Sequence, residues 1–294
     1  MSAPVAIDAA WRAAHPLPGI GAGVDKDSRG QVLVLGGSAF VPGAVRLTAE
    51  AALRAGAGKV QVAAPAPHAT ALGTAMPEMA IVALPVDADG EVALAAADAL
   101  APHLDGCQAM VLGCGMAQRA QTPALLARLL VDAKAAVIDA GMLGAVADAR
   151  DAVAALGGRA ILTPHPGELA KLTGAAREAI EGDPVAAARD AAARFGAVVV
   201  LKQDRTIVAD PSGTLLAFVS DSPGLGTAGS GDVLAGVIGG VLARGVAPLE
   251  AAAWGVWLHG QAGATLATTV GPLGFLAREL LPVVPRLLAA QATA

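Results

Sequence analysis

The chain has 294 residues, and 55% of them are hydrophobic, which is ample for a buried core. Its net charge of −5, its 2% aromatic content and its lack of tyrosine argue against a nucleic-acid partner, which would require basic surfaces and stacking rings. No apolar run reaches the roughly 18 to 20 residues of a membrane helix, and the start lacks the regions of a signal peptide. We therefore expect a cytoplasmic protein with no membrane contact that acts on small molecules.

Short strand-like runs alternate with helical stretches over the first two thirds of the chain. The runs are QVLVLGG at 31–37, KVQVAAP at 59–65, AMVLG at 109–113, AAVIDA at 135–140, RAILTP at 159–164 and AVVVLK at 197–202. Segments such as 43–56 and 183–196 separate them and carry helical spacing. Nearly continuous apolar strands are typical of a parallel sheet that is covered on both faces. This pattern predicts an α/β fold with a mostly parallel central sheet.

After residue 201 the strand-like runs come closer together. TIVAD at 206–210 and TLLAFV at 214–219 are joined by the turn DPSG, which predicts a hairpin at the sheet edge. The remainder reads as helical. No linker, charge block or repeat divides the chain, so we predict a single domain over residues 1–294.

Cys107 and Cys114 are the two cysteines of the chain. They lack the paired spacing of a zinc site, and two cysteines cannot supply a disulfide framework for a chain of this length. We expect both to be reduced and buried.

The stretch GTAGSGD, residues 226–232, leads from the last strand into a helix that we expect to begin at about Gly231. The amides of Gly229, Ser230 and Gly231 would be unpaired at this helix N-terminus, where they form an anion hole suited to phosphate. Asp232 lies in the first turn. It could simply complement the helix dipole, or it could accept a proton from a substrate hydroxyl beside a transferring phosphoryl group.

The loop is neither a Walker A sequence nor a dinucleotide fingerprint. Four blocks, at 32–60, 161–172, 223–245 and 254–263, together resemble the NAD(P)H-hydrate dehydratase family of the ribokinase-like superfamily. The blocks span nearly the whole chain in the order of that family. The resemblance implies a three-layer α/β/α sandwich. It also implies a repair reaction that dehydrates hydrated NADH or NADPH through phosphorylation of the ring hydroxyl and loss of phosphate.

The resemblance further implies cofactors and partners. Bacterial members generally use ADP, so ADP is the expected co-substrate, with ATP as the alternative and Mg²⁺ as the expected metal. Two stretches, 233–245 and 251–267, read as helices that are apolar around much of their circumference, so we expect them to be buried, in part at the subunit interface of a homo-oligomer. The resemblance implies that this oligomer is a homotetramer and that a separate NAD(P)H-hydrate epimerase works with it.

Individual site residues follow from the family motifs. Asp232 matches the catalytic aspartate, and Gly231 matches an anion-hole glycine that also binds the nucleotide. Ala44, Gly115, His165 and Asp232 match positions that bind the hydrate. The nucleotide loop covers Lys202, Gln203, Asp204, Arg205 and Thr206. Glu168 could orient a water bound to a metal.

Local patterns leave alternatives open at several of these positions. His165 and Glu168, in TPHPGE, also fit a plain helix start with the histidine facing solvent. The glycines near Ala44 fit an ordinary turn, and Asp139 could point at a ligand or cap the next turn.

Three motifs depart from the family pattern. Gln203 stands where the family usually has glycine, GCGMAQ at 113–118 keeps only Gly113 and Gly115 of the usual motif, and an expected asparagine is missing near Asp139. Two other functions therefore stay in consideration, a vitamin-type kinase of the same superfamily and a nucleotide sensor without turnover. The intact AGSGD favours an enzyme, and TPHPGE favours the dehydratase over the vitamin kinases.

Overall fold

A computed structural model describes residues 3–19 and 23–292, and both ends of the predicted domain lie outside these ranges. The strands are β1 Val5–Ala6, β2 Gln31–Gly36, β3 Lys59–Pro65, β4 Ala80–Leu84, β5 Ala109–Cys114, β6 Ala136–Ile138, β7 Ala160–Leu162, β8 Val198–Leu201, β9 Arg205–Ala209 and β10 Leu215–Val219. The helices are α1 Ala9–Ala14, α2 Ala44–Arg54, α3 Ala66–Ala75, α4 Ala96–Leu104, α5 Thr122–Leu130, α6 Arg150–Ala155, α7 Pro166–Thr173, α8 Arg177–Gly182, α9 Pro184–Phe195, α10 Ser230–Ala243, α11 Pro248–Thr269, α12 Ala277–Leu280 and α13 Val284–Ala292.

The strands form one sheet in the order β1-β10-β9-β8-β7-β6-β5-β2-β3-β4. From β8 through β4 every neighbouring pair is parallel, as the apolar runs predict. The chain builds outward from β2 to β4 and then returns to place β5 on the other side of β2. This reversal is a topological switch point, where open α/β sheets bind ligands at the carboxyl ends of their strands.

Two layers of helices cover the sheet. Along β2, Val32 and Val34 belong to one hydrophobic core, while Leu33 and Leu35 belong to the core on the opposite face. Successive strand side chains point to opposite faces, so a run of four apolar residues serves both cores. The continuous apolar character of the strands therefore follows from the layered architecture.

The predicted hairpin is confirmed, because β9 pairs antiparallel with β10. The two-residue strand β1 lies beyond β10 and pairs with it in parallel. The sequence did not predict β1, which is too short to carry a pattern, or β4, which is only partly buried. The two cysteines are buried free thiols, as expected.

Helix α10 packs closely on α2 because two glycines remove side-chain bulk between them. A Cβ at Gly236 would lie 2.1 Å from the carbonyl oxygen of Thr48, and one at Gly240 would lie 2.4 Å from that of Ala52. The register advances by four residues on both helices.

Both α10 and α11 are buried over most of their length within the single chain. Their apolar character is thus accounted for without a subunit interface, and the homotetramer rests on the family resemblance alone. Among the described residues, no helix combines the length and apolar character needed to cross a bilayer.

Candidate active site

The N-terminus of α10 begins one residue before the predicted start. Gly229 precedes the helix with a φ of +87°, a backbone conformation that favours glycine. A Cβ there would also lie 2.7 Å from Cδ1 of Leu47. The amide of Ser230 donates to the carbonyl of Thr227 at 3.2 Å, so one of the three predicted anion-hole amides is engaged within the protein.

A cavity of about 470 Å³ opens beside this helix N-terminus. Its polar lining includes His165, Lys202, Ser230, Gly231 and His259. Its apolar lining includes Phe218, Leu225, Leu234 and Val256. A pocket with an apolar wall and a few convergent polar groups at a helix N-terminus suits an organic phosphate.

Most of the predicted nucleotide loop lines this cavity. Lys202, Gln203, Asp204 and Thr206 are part of the wall, whereas Arg205 is exposed at the start of β9. The hydroxyl of Thr206 donates to the carbonyl of Gln203 at 3.0 Å and closes the turn. Glutamine in place of the usual glycine therefore leaves a compact loop at this position.

The predicted hydrate-binding residues gather at the switch point next to the cavity. A Cβ at Gly115 would lie 2.5 Å from the Cβ of Ala44, so these two residues are in contact. The carboxylate of Asp232 lies within 4.8 Å of the thiol of Cys114, the residue that precedes Gly115. Three of the four predicted hydrate-binding residues therefore come together, and His165 lies at the cavity wall.

Asp139 lies at the centre of the charged groups rather than capping the next turn. It is almost fully buried, and its Oδ1 accepts hydrogen bonds from the hydroxyl of Thr163 at 2.7 Å and from Nζ of Lys202 at 3.1 Å. The same Nζ lies 3.7 Å from Oε2 of Glu168. Burial lowers the pKa of Lys202, but Asp139 and Glu168 outweigh it, so the pKa is raised and the ammonium stays charged.

The carboxyl of Asp232 is tuned by its surroundings. Burial, followed by the negative charge of Asp139, raises the pKa of Asp232 to about 6, while Cys114 and Lys202 act in the opposite direction. A pKa this close to neutrality suits a general base that is ionised at physiological pH but still basic enough to take a proton.

Cys114 lies close to the two carboxylates, a position that the sequence did not predict. Its sulfur and one oxygen each of Asp139 and Asp232 lie within 4.8 Å of one another. Burial and then these two carboxylates raise the pKa of the thiol well above its usual value, so it remains protonated. Mg²⁺ prefers several oxygen ligands, and here one group is a thiol and Asp139 is already paired with Lys202. This donor set does not fit a resident Mg²⁺ site.

His165 and Glu168 form a reciprocal cap on α7. Nδ1 of His165 accepts from the amides of Gly167 and Glu168, and Oε2 of Glu168 accepts from the amide of His165 at 2.8 Å. Both residues therefore form the helix start, but His165 also lines the cavity rather than facing solvent alone, and Glu168 is engaged by the cap and by Lys202. Because Nδ1 accepts, a neutral His165 carries its proton on Nε2.

His259 is a polar cavity residue that no motif assignment singled out, although it lies in the block at 254–263. Its Nε2 and the hydroxyl of Ser230 are 2.9 Å apart. Burial lowers the pKa of His259 to about 4, so the ring is neutral at physiological pH. The helical spacing of Val256, His259 and Gly260, which all line the cavity, was the available signal.

Comparison with known proteins decides the family. The model of the NAD(P)H-hydrate dehydratase family matches residues 32–286. The chain belongs to this family. Its fold is the ribokinase-like α/β/α sandwich expected from the sequence motifs.

Individual relatives agree with the family assignment. A Xanthomonas campestris protein named ADP-dependent (S)-NAD(P)H-hydrate dehydratase is 45% identical, over 96% of this chain and 95% of its own. The bifunctional NAD(P)H-hydrate repair enzyme Nnr of Moorella thermoacetica is 37% identical over 96% of this chain, which spans 53% of that enzyme. The ADP/ATP-dependent NAD(P)H-hydrate dehydratase of Bacillus subtilis, co-crystallised with ATP and Mg²⁺, superposes with a TM-score of 0.81 at 26% identity, over 99% of both chains.

Proposed function

We propose that the protein dehydrates hydrated NADH or NADPH to the reduced cofactor, driven by ADP. The observation that carries this proposal is the position of Asp232, which lies in the first turn of α10 with a raised pKa and within 4.8 Å of the thiol of Cys114 and the carboxylate of Asp139. Membership of the dehydratase family and the name of the Xanthomonas relative support the same reaction. The vitamin-kinase alternative has only fold similarity in its favour, at 16% identity to a hydroxyethylthiazole kinase.

The chemistry requires an improved leaving group. Hydroxide leaves poorly at neutral pH, whereas phosphate leaves well. The ring hydroxyl attacks the terminal phosphorus of ADP and gives its proton to Asp232, and AMP departs. The phosphate ester then eliminates: its carbon–oxygen bond breaks, inorganic phosphate leaves, and a proton on the neighbouring ring carbon passes to solvent as the double bond forms.

Different residues of the chain would have different roles in this reaction. Gly231 and the remaining free amides of the α10 N-terminus stabilise the transferring phosphoryl group, since the helix dipole favours negative charge there. Residues Lys202 to Thr206 hold the nucleotide, and Ala44, Gly115 and His165 bind the hydrate. Mg²⁺ would enter with the nucleotide, whose phosphates would supply the several oxygen ligands that this cation prefers.

The assembly and setting of the enzyme are further proposals. Residues 1–294 would act as one domain in the cytoplasm, as a homotetramer. A separate epimerase would supply the epimer on which the enzyme acts.

Nucleotide choice tests the proposed function. Purified protein with hydrated NADPH, Mg²⁺ and ADP is expected to restore the absorbance of the reduced nicotinamide, faster than with ATP and not without nucleotide. ATP that matches or exceeds ADP would contradict the choice of nucleotide. No recovery with either nucleotide would contradict the proposed function itself.

A further inference from the structure

A groove of about 1020 Å³ lies at the far end of α10 from the active site. Its wall includes Arg244, which directly follows the last residue of α10, whereas Asp232 lies in the first turn of the helix. The 14 residues of α10 separate the two ends by about 20 Å. No residue lines both the groove and the nucleotide cavity, so the two are separate sites.

Four arginines from separate segments of the chain converge on this groove, which we call the arginine groove. They are Arg12 on α1, Arg29 before β2, Arg54 at the end of α2 and Arg244 after α10. No aspartate or glutamate is among the described residues that line it. The wall is therefore strongly positive in a chain whose net charge is −5.

Only Arg54 among these four forms an ion pair with a described carboxylate, that of Glu50 at 3.2 Å. Nε of Arg12 donates to a side-chain amide oxygen, and its guanidinium lies 3.9 Å from the centroid of a Trp257 ring. Nε of Arg29 donates to a backbone carbonyl. Each guanidinium has five N–H groups, so these neutral contacts leave most of the donors available to a ligand.

Arg244 is half-buried close to Arg29. Its guanidinium donates to the carbonyls of Pro18 at 2.7 Å and Ala55 at 3.4 Å. Burial, followed by the positive charge of Arg29, lowers the pKa of Arg244. Helix C-termini favour cations, so the end of α2 accounts for Arg244 alone but not for a second arginine beside it. Two like charges that are held together and partly desolvated favour the binding of an anion.

The rest of the wall indicates what kind of anion fits. Leu17, Leu53, Trp254 and Leu288 give the groove apolar surfaces between the arginines. Guanidinium groups match phosphate oxygens with two parallel hydrogen bonds, which makes arginine the preferred residue for phosphate recognition. The volume of the groove suits an organic molecule rather than a single inorganic ion.

We propose that the arginine groove binds a small organic molecule that carries at least two phosphate groups, with Arg12, Arg29 and Arg244 as the phosphate ligands. The proposal does not depend on the proposed function, because the groove shares no residue with the nucleotide or hydrate sites. It gives the protein a second ligand site at the opposite end of α10 from Asp232.

The tryptophans provide a local signal for this groove. Trp254 lines it, and the ring centroids of Trp11 and Trp257 lie 6.4 Å and 5.6 Å from that of Trp254. These are all three tryptophans of the chain, which has no tyrosine, and none of them lines the nucleotide cavity. Tryptophan fluorescence therefore reports binding in the groove.

The experiment is a fluorescence titration with two probes, inorganic pyrophosphate and adenosine 3′,5′-bisphosphate. Both are expected to give a saturable change in the wild type, and the bisphosphate should bind about 3- to 10-fold more tightly because its ring covers apolar wall. Combined substitution of Arg29→Gln and Arg244→Gln should weaken both probes by about 10-fold or more, since charge-assisted hydrogen bonds are lost.

Two single variants serve as controls. Arg29→Gln alone leaves the contacts of Arg244 with the helix end intact and should still weaken both probes, even if the double variant does not fold. Arg150→Gln removes an exposed arginine of α6 that also donates to a backbone carbonyl, and it should bind like the wild type.

The proposal would be overturned by the lack of a saturable change with either probe, or by wild-type affinity in Arg29→Gln. Pyrophosphate that binds as tightly as the bisphosphate would overturn the assignment to an organic ligand. The readout is binding in the groove, so a protein without turnover of hydrated NADPH would contradict the proposed function and leave this test intact.

Discussion

Asp232→Asn is expected to lower kcat by about 10²- to 10⁴-fold while the Kd for ADP stays close to the wild-type value. The amide keeps the size of the side chain and the shape of the loop, but it cannot accept the proton of the ring hydroxyl. Turnover of hydrated NADPH and calorimetric titration with ADP measure the two quantities on the same preparations.

The stability of this variant separates a catalytic base from a helix-dipole partner. The folded-state pKa of about 6 lies above the ordinary value of 3.8, so the charged form is disfavoured by folding. Wild-type stability should fall as pH rises from about 4 to 6, and Asp232→Asn should lack this loss and be the more stable protein at pH 7. A dipole partner predicts the reverse, a loss of roughly 0.3 to 1 kcal/mol on substitution with turnover nearly intact. Turnover within about tenfold of wild type would remove Asp232 from the role of base.

Lys202→Met is expected to lower the free energy of unfolding by about 3 to 5 kcal/mol. The substitution leaves the carboxylate of Asp139, whose side chain is 3% exposed, without its cation. Loss of one partner of a buried ion pair costs more than loss of both, since the remaining charge stays desolvated. Urea unfolding at neutral pH measures the change.

A double-mutant cycle identifies the cause of that loss. Asp139→Asn combined with Lys202→Met removes both charges and should recover much of the stability lost in the single variant. Lys171→Met, at an exposed position on α7, is the matched control and should be within about 0.5 kcal/mol of wild type. A Lys202→Met protein as stable as the control would contradict the paired arrangement of Lys202 and Asp139.

The parallel sheet could be predicted because its strands are buried on both faces and read as continuous apolar runs. The hairpin was marked equally well by the turn DPSG at 210–213. The strand order could not be predicted, since the reversal that places β5 beside β2 depends on contacts distant in sequence. The sequence also could not decide whether α10 and α11 are buried inside the chain or at a subunit interface, because both situations give the same apolar pattern.

The site was predictable where a local motif carries the chemistry. Asp232 and Gly231 could be located from the glycine-rich loop and the helix that follows it. The pairing of Asp139 with Lys202 joins residues 63 positions apart, and no local pattern records it. Cys114 could not be predicted as a site residue because its significance lies in its burial beside two carboxylates, which only the folded chain determines.

The fate of the ring oxygen tests the central claim, which is that the hydroxyl leaves as phosphate. Hydrated NADPH whose ring hydroxyl carries the heavy isotope of oxygen is turned over with ADP and Mg²⁺, and the released phosphate is analysed by mass spectrometry. Transfer of the phosphoryl group to that hydroxyl predicts one heavy oxygen in each phosphate released. Unlabelled phosphate, with the heavy oxygen recovered in water, would contradict the account.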